Sequence, residues 1–234
     1  MSIADSQYTG TDNLEVMAEA VNYNQFLLGE IRSRLPGENA PVMDFGAGSG
    51  TFAVPLHEAG VPVTCVEPDE SLRQRLSDCG LAVVPDVDGL QSQTFSFIYS
   101  LNVLEHIEND RAALERLRDL LAPNGVLLLY VPAFQLLYSS MDRKVGHFRR
   151  YGRPALMRLL TSAGYIVDHA RYVDSIGFLA ALAYRCLGRD DGAINRSALK
   201  LYDRWVFPVS VALDRLAGRW FGKNVLVTAK VPAK

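Results

Sequence analysis

Val42-Met43-Asp44-Phe45-Gly46-Ala47-Gly48-Ser49-Gly50 decides the fold of this 234-residue chain. A short, largely apolar run passes straight into three glycines at alternate positions. A tight turn at a strand's end needs positive φ and a backbone open to close approach, and glycine alone supplies both. Residues 51–59 then follow a helical pattern that Gly60 stops, so the unit is strand, glycine turn, helix. The period repeats outward. Residues 61–66 read as a second strand ending on Glu67, 69–79 as a helix, 82–84 as a third strand and 95–100 as a fourth. An amphipathic helix over 110–121, the turn Pro123-Asn124-Gly125 and an apolar strand over 126–131 follow. Strands alternating with helices predict an α/β domain, a parallel sheet covered by helices on both faces. Upstream, 14–35 reads as a leading amphipathic helix ended by Pro36-Gly37; downstream, 153–163 is a helix opened by Pro154, and 165–172 and 224–231 are strands.

The glycine turn by itself specifies a nucleoside-binding corner, and Glu67 adds to it. An acidic side chain at the end of the next strand, about 20 residues beyond the turn, can accept from both ribose hydroxyls. A pyrophosphate would favour G-x-G-x-x-G. Here the third glycine comes one place early, and the Asp44 carboxylate before the turn repels phosphate while suiting a ligand with a cationic amino group. NAD stays as the alternative on the residues alone.

In this order the residues resemble the class I S-adenosylmethionine-dependent methyltransferases. Residues 42–50 are similar to the family's first motif and Val66-Glu67-Pro68-Asp69 to its second. Leu101-Asn102-Val103-Leu104-Glu105-His106-Ile107 is similar to its Leu-Glu-His motif, and Leu121-Ala122-Pro123-Asn124-Gly125-Val126-Leu127 to the turn before its fifth strand. The resemblance implies a Rossmann-like, seven-stranded, mostly parallel sheet with an antiparallel last strand. It also implies a cofactor-binding core over 42–131, with S-adenosylmethionine as donor and S-adenosylhomocysteine as product. By position, Gly46, Ala47 and Gly48, with Gly50 completing the turn, would pass under the methionine portion, and Asp44 would lie near its amino group. Glu67, with Pro68 beside it, would hold the ribose. Asp86 would meet the adenine amino group, with Val87 packed on the ring, and Asn102 and Val103 would line the other side. Two residues keep two readings each: His106 contacts the cofactor or active site, or orients its loop; Tyr23 on the leading helix covers the cofactor, or simply packs. Where relatives often open the fourth strand with Phe-Asp, this chain has Phe95-Ser96.

Substrate groups belong in the loops at the C-terminal strand ends, here 132–152. Asp142-Arg143-Lys144-Val145-Gly146-His147-Phe148-Arg149-Arg150-Tyr151 lies there and resembles a Gly-His-x-Arg-Arg-Tyr signature in a bacterial subfamily of these methyltransferases. Methyl transfer is an in-line displacement that mainly requires alignment, and a base is needed only if the nucleophile keeps its proton. His147 is the expected base or orienting partner, because an imidazole's ordinary pKa of about 6.5 suits proton removal near neutrality. Asp142, Arg149, Arg150 and Tyr151 are expected to bind substrate, the arginines through a carboxylate or phosphate. The competing reading has Arg149, Arg150 and Tyr151 tie the loop to Asp142 and the next helix. No His, Cys, Asp and Glu set shows metal-ligand spacing, so no metal is expected.

Residues 173–223 exceed an ordinary connection and read as a helical insertion, with three roles open: a lid over an apolar acceptor, a dimer interface, or a lipid-facing surface. Basic residues 185, 189, 196, 200, 204, 215, 219 and 223 interleave with its apolar ones. The whole chain, 1–234, reads as one domain, and its 49% hydrophobic content is ample for one core. A formal net charge of -2 offers no general attraction to nucleic acid. Three scattered cysteines fit a reducing interior, each as a small core residue, and no apolar run reaches the roughly 18 to 20 residues that span a bilayer. The expectation is a cytoplasmic protein, with peripheral contact at the inner membrane face left open. The expected function is O-methylation of a hydrophobic, lipid-like or acidic small molecule. N- or C-methylation and a non-catalytic cofactor-binding or assembly module are the rivals.

Overall fold

The computed structural model describes residues 16–37, 39–90, 93–186 and 196–233, with the backbone alone at Tyr184 and Cys186. The predicted start of the leading helix and residues 187–195 of the insertion lie outside the described residues. Seven strands form one sheet: β1 (Val42–Phe45), β2 (Val63–Val66), β3 (Ala82–Val84), β4 (Phe95–Leu101), β5 (Leu121–Pro132), β6 (Ile166–Val173) and β7 (Asn224–Lys230), in the order β3-β2-β1-β4-β5-β7-β6. The pairs among β1 to β5 are parallel; β7 runs antiparallel between β5 and β6. This is the Rossmann-like methyltransferase sheet expected from the sequence.

Alternation along β5 explains why both faces need cover. Leu127, Leu129 and Val131 enter one core with Met43, Phe45 and Ile98, closed by Leu114 and Leu117 of α4 (Asp110–Leu120) and Leu156 and Leu160 of α6 (Arg153–Ser162). Leu128 and Tyr130 enter the other with Val42, Phe97 and Tyr99, closed by Leu27, Leu28 and Ile31 of α1 (Val21–Arg32) and Leu56 of α2 (Ala53–Glu58). Two helices start where their capping residues stand. Asp69 accepts from Leu72 N at 3.0 Å to open α3 (Glu70–Asp78), and Asn109 accepts from Ala112 N at 3.1 Å to open α4. β5 begins earlier than its apolar run because Leu121 pairs with Phe95 across a bulge. Cys65 is buried as expected. Cys79 is exposed instead, because Leu76 and Leu81 take the inward positions on either side of it.

After β6 the insertion forms α7 (Ser175–Cys186) and α8 (Arg196–Leu201), which continues through a π turn (Tyr202–Val206) into α9 (Phe207–Ala217). Its buried acids hold distant helix ends. Asp203 accepts from Asn22 N at 2.9 Å and Tyr23 N at 2.8 Å, capping α1, whose own Ala20 offers no side-chain cap. Asp214 accepts from Asp174 N and Ser175 N, and Asp174 from Gly177 N at 3.0 Å, so two carboxylates serve the start of α7. No described helix is long and apolar enough to cross a membrane.

Candidate active site

The site lies at the C-terminal ends of β1, β2, β4 and β5, where an open α/β sheet presents its loops. Gly46 N and Ala47 N donate to Val66 O at 2.9 and 3.1 Å, bending the chain sharply off β1. Gly46, Gly48 and Gly50 all take positive φ, at 84°, 55° and 85°. At Gly46 the space is as decisive as the φ: an added Cβ would fall 2.3 Å from a Val103 methyl carbon. The loops after β1 and β4 therefore meet through a bare backbone. Glu67 is buried and shares its carboxylate between the two sides of the corner, accepting from Gly48 N at 2.7 Å and from Asp69 N at 3.0 Å. Burial raises its pKa, and those two amides offset part of the effect. Pro68 beside it is exposed.

Asp44 is 3% exposed, and its Oδ2 has no hydrogen-bond partner. Burial pushes its carboxyl up to about 7, the Tyr99 hydroxyl opposes this, and the Glu67 charge adds to it. An orphaned carboxylate oxygen under a glycine turn is unusual enough to call for a partner, and a cationic amino group fits it. Asn102 takes φ 55°, a left-handed turn that asparagine tolerates better than most residues, and its N donates to Tyr130 O at 2.7 Å. Its Nδ2 donates to the Tyr23 hydroxyl at 3.2 Å, so the leading helix reaches across to the end of β4. Tyr23 also packs edge-on against Tyr130 and against Phe207 of α9, and burial pushes its phenol up to about 12. Asp86 accepts from Asp88 N at 2.8 Å and so opens the short turn Val87–Leu90, in which Val87 is buried.

The second half of the site is built by the loop after β5. α5 (Ser140–Lys144) starts with a reciprocal pair between Ser139 and Asp142 and ends at Gly146, φ 81°. Gly146 N donates to Arg143 O at 3.2 Å and His147 N to Asp142 O at 2.8 Å, the pattern of a glycine-terminated helix that turns back on itself. That turn returns the His147 ring to its own helix: Nδ1 lies 2.7 Å from Asp142 Oδ1. Arg150 forks the same carboxylate, Nε to Oδ1 at 2.8 Å and Nη2 to Oδ2 at 2.9 Å. Burial works against ionised Asp142, but the hydrogen bonds from His147 and Arg150 outweigh it and hold the carboxyl well below the usual range. Arg149 pairs with Asp110 at 2.7 Å and donates to Glu108 O; Tyr151 donates to Asp110 Oδ2 at 2.9 Å. Arg150 thus meets Asp142 as the second of the two sequence readings had it, whereas Arg149 and Tyr151 join the loop to the preceding helix α4 rather than to the following one, because Asp110 at the start of α4 lies within their reach.

Phe148 N donates to Glu105 O at 2.8 Å and docks this loop on the Leu-Glu-His turn. Glu105 is fully buried with both carboxylate oxygens unpartnered, one of them 3.9 Å from His147 Nε2. Burial pushes its carboxyl up to about 8, offset in part by its own backbone amide and the charge of Arg150. The His106 ring lies 4.6 Å from that of His147, nearly perpendicular, and is held by backbone groups of Val145 and Gly146. Burial, with His147 beside it, lowers the His106 imidazole to about 4. Glu105, His106 and His147 thus bring ligand atoms within 4.8 Å of one another, a set that positions 105, 106 and 147 do not announce in sequence. The nearby guanidinium of Arg150 disfavours a cation there. The group suits proton handling: an oriented imidazole facing a carboxyl that burial keeps neutral around pH 7. Sequence reasoning named all of this cluster except Glu105, whose signal was available, a carboxylate inside an apolar motif.

Fold and site together define a Rossmann-like nucleoside-binding enzyme with an oriented histidine beside the cofactor corner. Residues 17–170, more than half of the chain, match the model of the methyltransferase domain family, and the chain belongs to that family, the class I S-adenosylmethionine-dependent methyltransferases. No curated protein matches it. Among solved structures it is similar to a possible histamine N-methyltransferase from Thermotoga maritima, with TM-score 0.62, 15% identity, and 95% of each chain covered. A putative sarcosine dimethylglycine methyltransferase from Galdieria sulphuraria superposes with TM-score 0.60 at 14% identity over 91% of this chain and 86% of that one. Haemonchus contortus phosphoethanolamine N-methyltransferase 2, solved with phosphomonomethylethanolamine and S-adenosylhomocysteine, gives TM-score 0.62 at 16% identity over 100% of this chain and 61% of that one.

Proposed function

We propose that the chain transfers the methyl group of S-adenosylmethionine to an oxygen of a small hydrophobic, lipid-like or acidic acceptor bound beside His147. The observation that carries this reading is the 2.7 Å contact of His147 Nδ1 with a buried, ionised Asp142. With Nδ1–H committed to that carboxylate, Nε2 is left as the acceptor for a proton, the arrangement a general base needs. In the donor half, Asp44 receives the cofactor's amino group, Glu67 the ribose and Val87 the adenine ring, while Gly46 and Val103 shape the floor between them. When bound, the cofactor supplies a sulfonium methyl that leaves without metal help. Arg149, Arg150 and Tyr151 then act by holding the loop, and α7, which donates from Arg185 to Tyr138 O, covers it.

An amine acceptor is the second reading, favoured by the N-methyltransferase names among the structural neighbours. Labelled methyl transfer to a panel of hydroxyl, carboxyl and amine acceptors, with wild type and His147→Gln, tests both. Loss of turnover on the order of 10²- to 10⁴-fold with unchanged S-adenosylhomocysteine affinity supports a base. Full turnover in His147→Gln removes His147 from the reaction.

A further inference from the structure

The helix that runs from α8 through the π turn into α9 is amphipathic the wrong way round. Its inward line carries Asp203, Phe207, Ser210 and Asp214, and three of these four are polar groups spent on backbone N–H donors of α1 and α7. Its outward line carries Leu201, Trp205, Val209, Leu213 and Leu216 and continues to Trp220 just beyond the helix, each between 47% and 72% exposed. Steps of three and four residues keep these six side chains in one arc of the surface. Folding leaves about half or more of each in solvent. Solvated helices do not normally show so large an apolar stripe, and such stripes mark contact surfaces.

The charges on the same helix are sorted as well. Over 196–223 both acids, Asp203 and Asp214, point inward, whereas Arg196, Lys200, Arg204, Arg215, Arg219 and Lys223 are all exposed. Arg196 and Lys200 meet Glu19; the other four make no ion pair among the described residues. A two-fold contact with a second copy would set this positive face against itself. Anionic headgroups complement it, with aromatic and aliphatic side chains entering just below them. We infer that this face docks the enzyme peripherally on an anionic lipid surface, Trp205 and Trp220 seated at the headgroup boundary. The docking face adjoins the cover of the active site, because Asp203 on the same helix caps α1 at Tyr23.

Trp205 and Trp220 are the protein's two tryptophans, so intrinsic fluorescence reports on this stripe directly. The full chain with S-adenosylhomocysteine is mixed with phosphatidylcholine vesicles with and without phosphatidylglycerol, and emission and flotation are read. Retention and a blue shift on the anionic vesicles alone, weakened by salt, support the inference. So does a severalfold loss of retention in Arg204→Glu/Arg215→Glu and in Trp205→Ala/Trp220→Ala at unchanged S-adenosylhomocysteine binding. Four outcomes overturn it: no retention on anionic vesicles; retention that both double variants leave intact; blue emission already present in buffer, which would mean that the chain covers its own stripe; or a concentration-dependent dimer broken by Trp205→Ala. None of these readouts requires turnover, so they stand or fall apart from the choice of acceptor.

Discussion

His147 is aimed by the helix from which it descends: its Nδ1 meets Asp142 Oδ1 at 2.7 Å while its backbone N donates to Asp142 O at 2.8 Å. One residue thus orients the imidazole through its side chain and ends the turn through its carbonyl. Asp142→Asn keeps the shape but presents an amide, which can donate to Nδ1 and so turn Nε2 into a donor. Turnover should fall by on the order of 10²-fold or more, with S-adenosylhomocysteine affinity retained. The half-buried guanidinium of Arg150 loses its counter-charge and one of its two hydrogen bonds in the same step, so urea denaturation should show a loss of up to roughly 3–5 kcal/mol. Normal turnover in Asp142→Asn would mean that the ring's tautomer does not matter to the reaction.

Glu105 makes stability depend on pH in an unusual direction. Its carboxyl is raised to about 8 in the fold by burial, so over the interval from the usual glutamate range to about 8 the folded state keeps a proton that the unfolded chain has released. Stability is therefore greatest below that interval and declines as pH rises through it, by up to about 1.4 kcal/mol per pH unit from this group. Asp44, raised to about 7, acts in the same direction. Glu105→Gln imitates the protonated acid. Thermal melts across pH should show a flatter profile for the variant and a higher midpoint than wild type at alkaline pH; coincident profiles would contradict the buried, neutral carboxyl.

The order of strands and helices was legible because each element announces its period locally, and Asp69 and Asn109 mark helix starts in plain sequence. The candidate donor corner was legible for the same reason, since Gly46, Glu67 and Asn102 follow directly on β1, β2 and β4, which are neighbours in the sheet. Contacts closed by the tertiary fold left no such trace. Asp203 caps a helix 180 residues upstream, and nothing near position 203 says so. Arg149 and Arg150 looked like anion ligands because two adjacent guanidiniums in a strand-end loop present the same pattern whether their carboxylate comes from a substrate or from Asp110 and Asp142. Glu105 was passed over inside its motif because burial of a charge is decided by what packs around it, here the chain at Phe148.

Asp203 offers a test of how the leading helix is held. Asp203→Ala removes acceptors from Asn22 N and Tyr23 N at once, and the first turn of α1 has no local substitute. The cost should be about 1–2 kcal/mol, in the range of a lost helix cap. Amide exchange should accelerate at Asn22 and Tyr23 before it does in β4 or β5. Exchange that quickens uniformly would indicate global destabilisation rather than a released helix end.

Gly46→Ala separates strain from crowding. The φ of 84° disfavours any side chain by about 1–2 kcal/mol, and the Val103 methyl 2.3 Å away forbids the new Cβ without movement of the β4 turn. S-adenosylhomocysteine binding should drop strongly in Gly46→Ala by calorimetry. Adding Val103→Ala should restore part of it, because the crowding is relieved while the backbone strain remains. No rescue would place the whole effect in the backbone.

The donor corner should take up its ligand with a proton balance set by Asp44. Burial holds this carboxyl at about 7, so below that pH the free protein carries it neutral, and an ammonium group placed against its orphaned Oδ2 requires it ionised. Binding must then expel the proton, and affinity for S-adenosylhomocysteine should weaken up to tenfold for each pH unit below about 7. Calorimetry from about pH 5.5 to about pH 8, in buffers of different ionisation enthalpy, reads both the slope and the released proton. Asp44→Asn should bind more weakly at neutral pH and lose the slope altogether. The glycine turn is intact in that variant, so a slope that survives the substitution would move the amino group away from Asp44, and a flat wild-type profile would show that the carboxyl is already ionised when the ligand arrives.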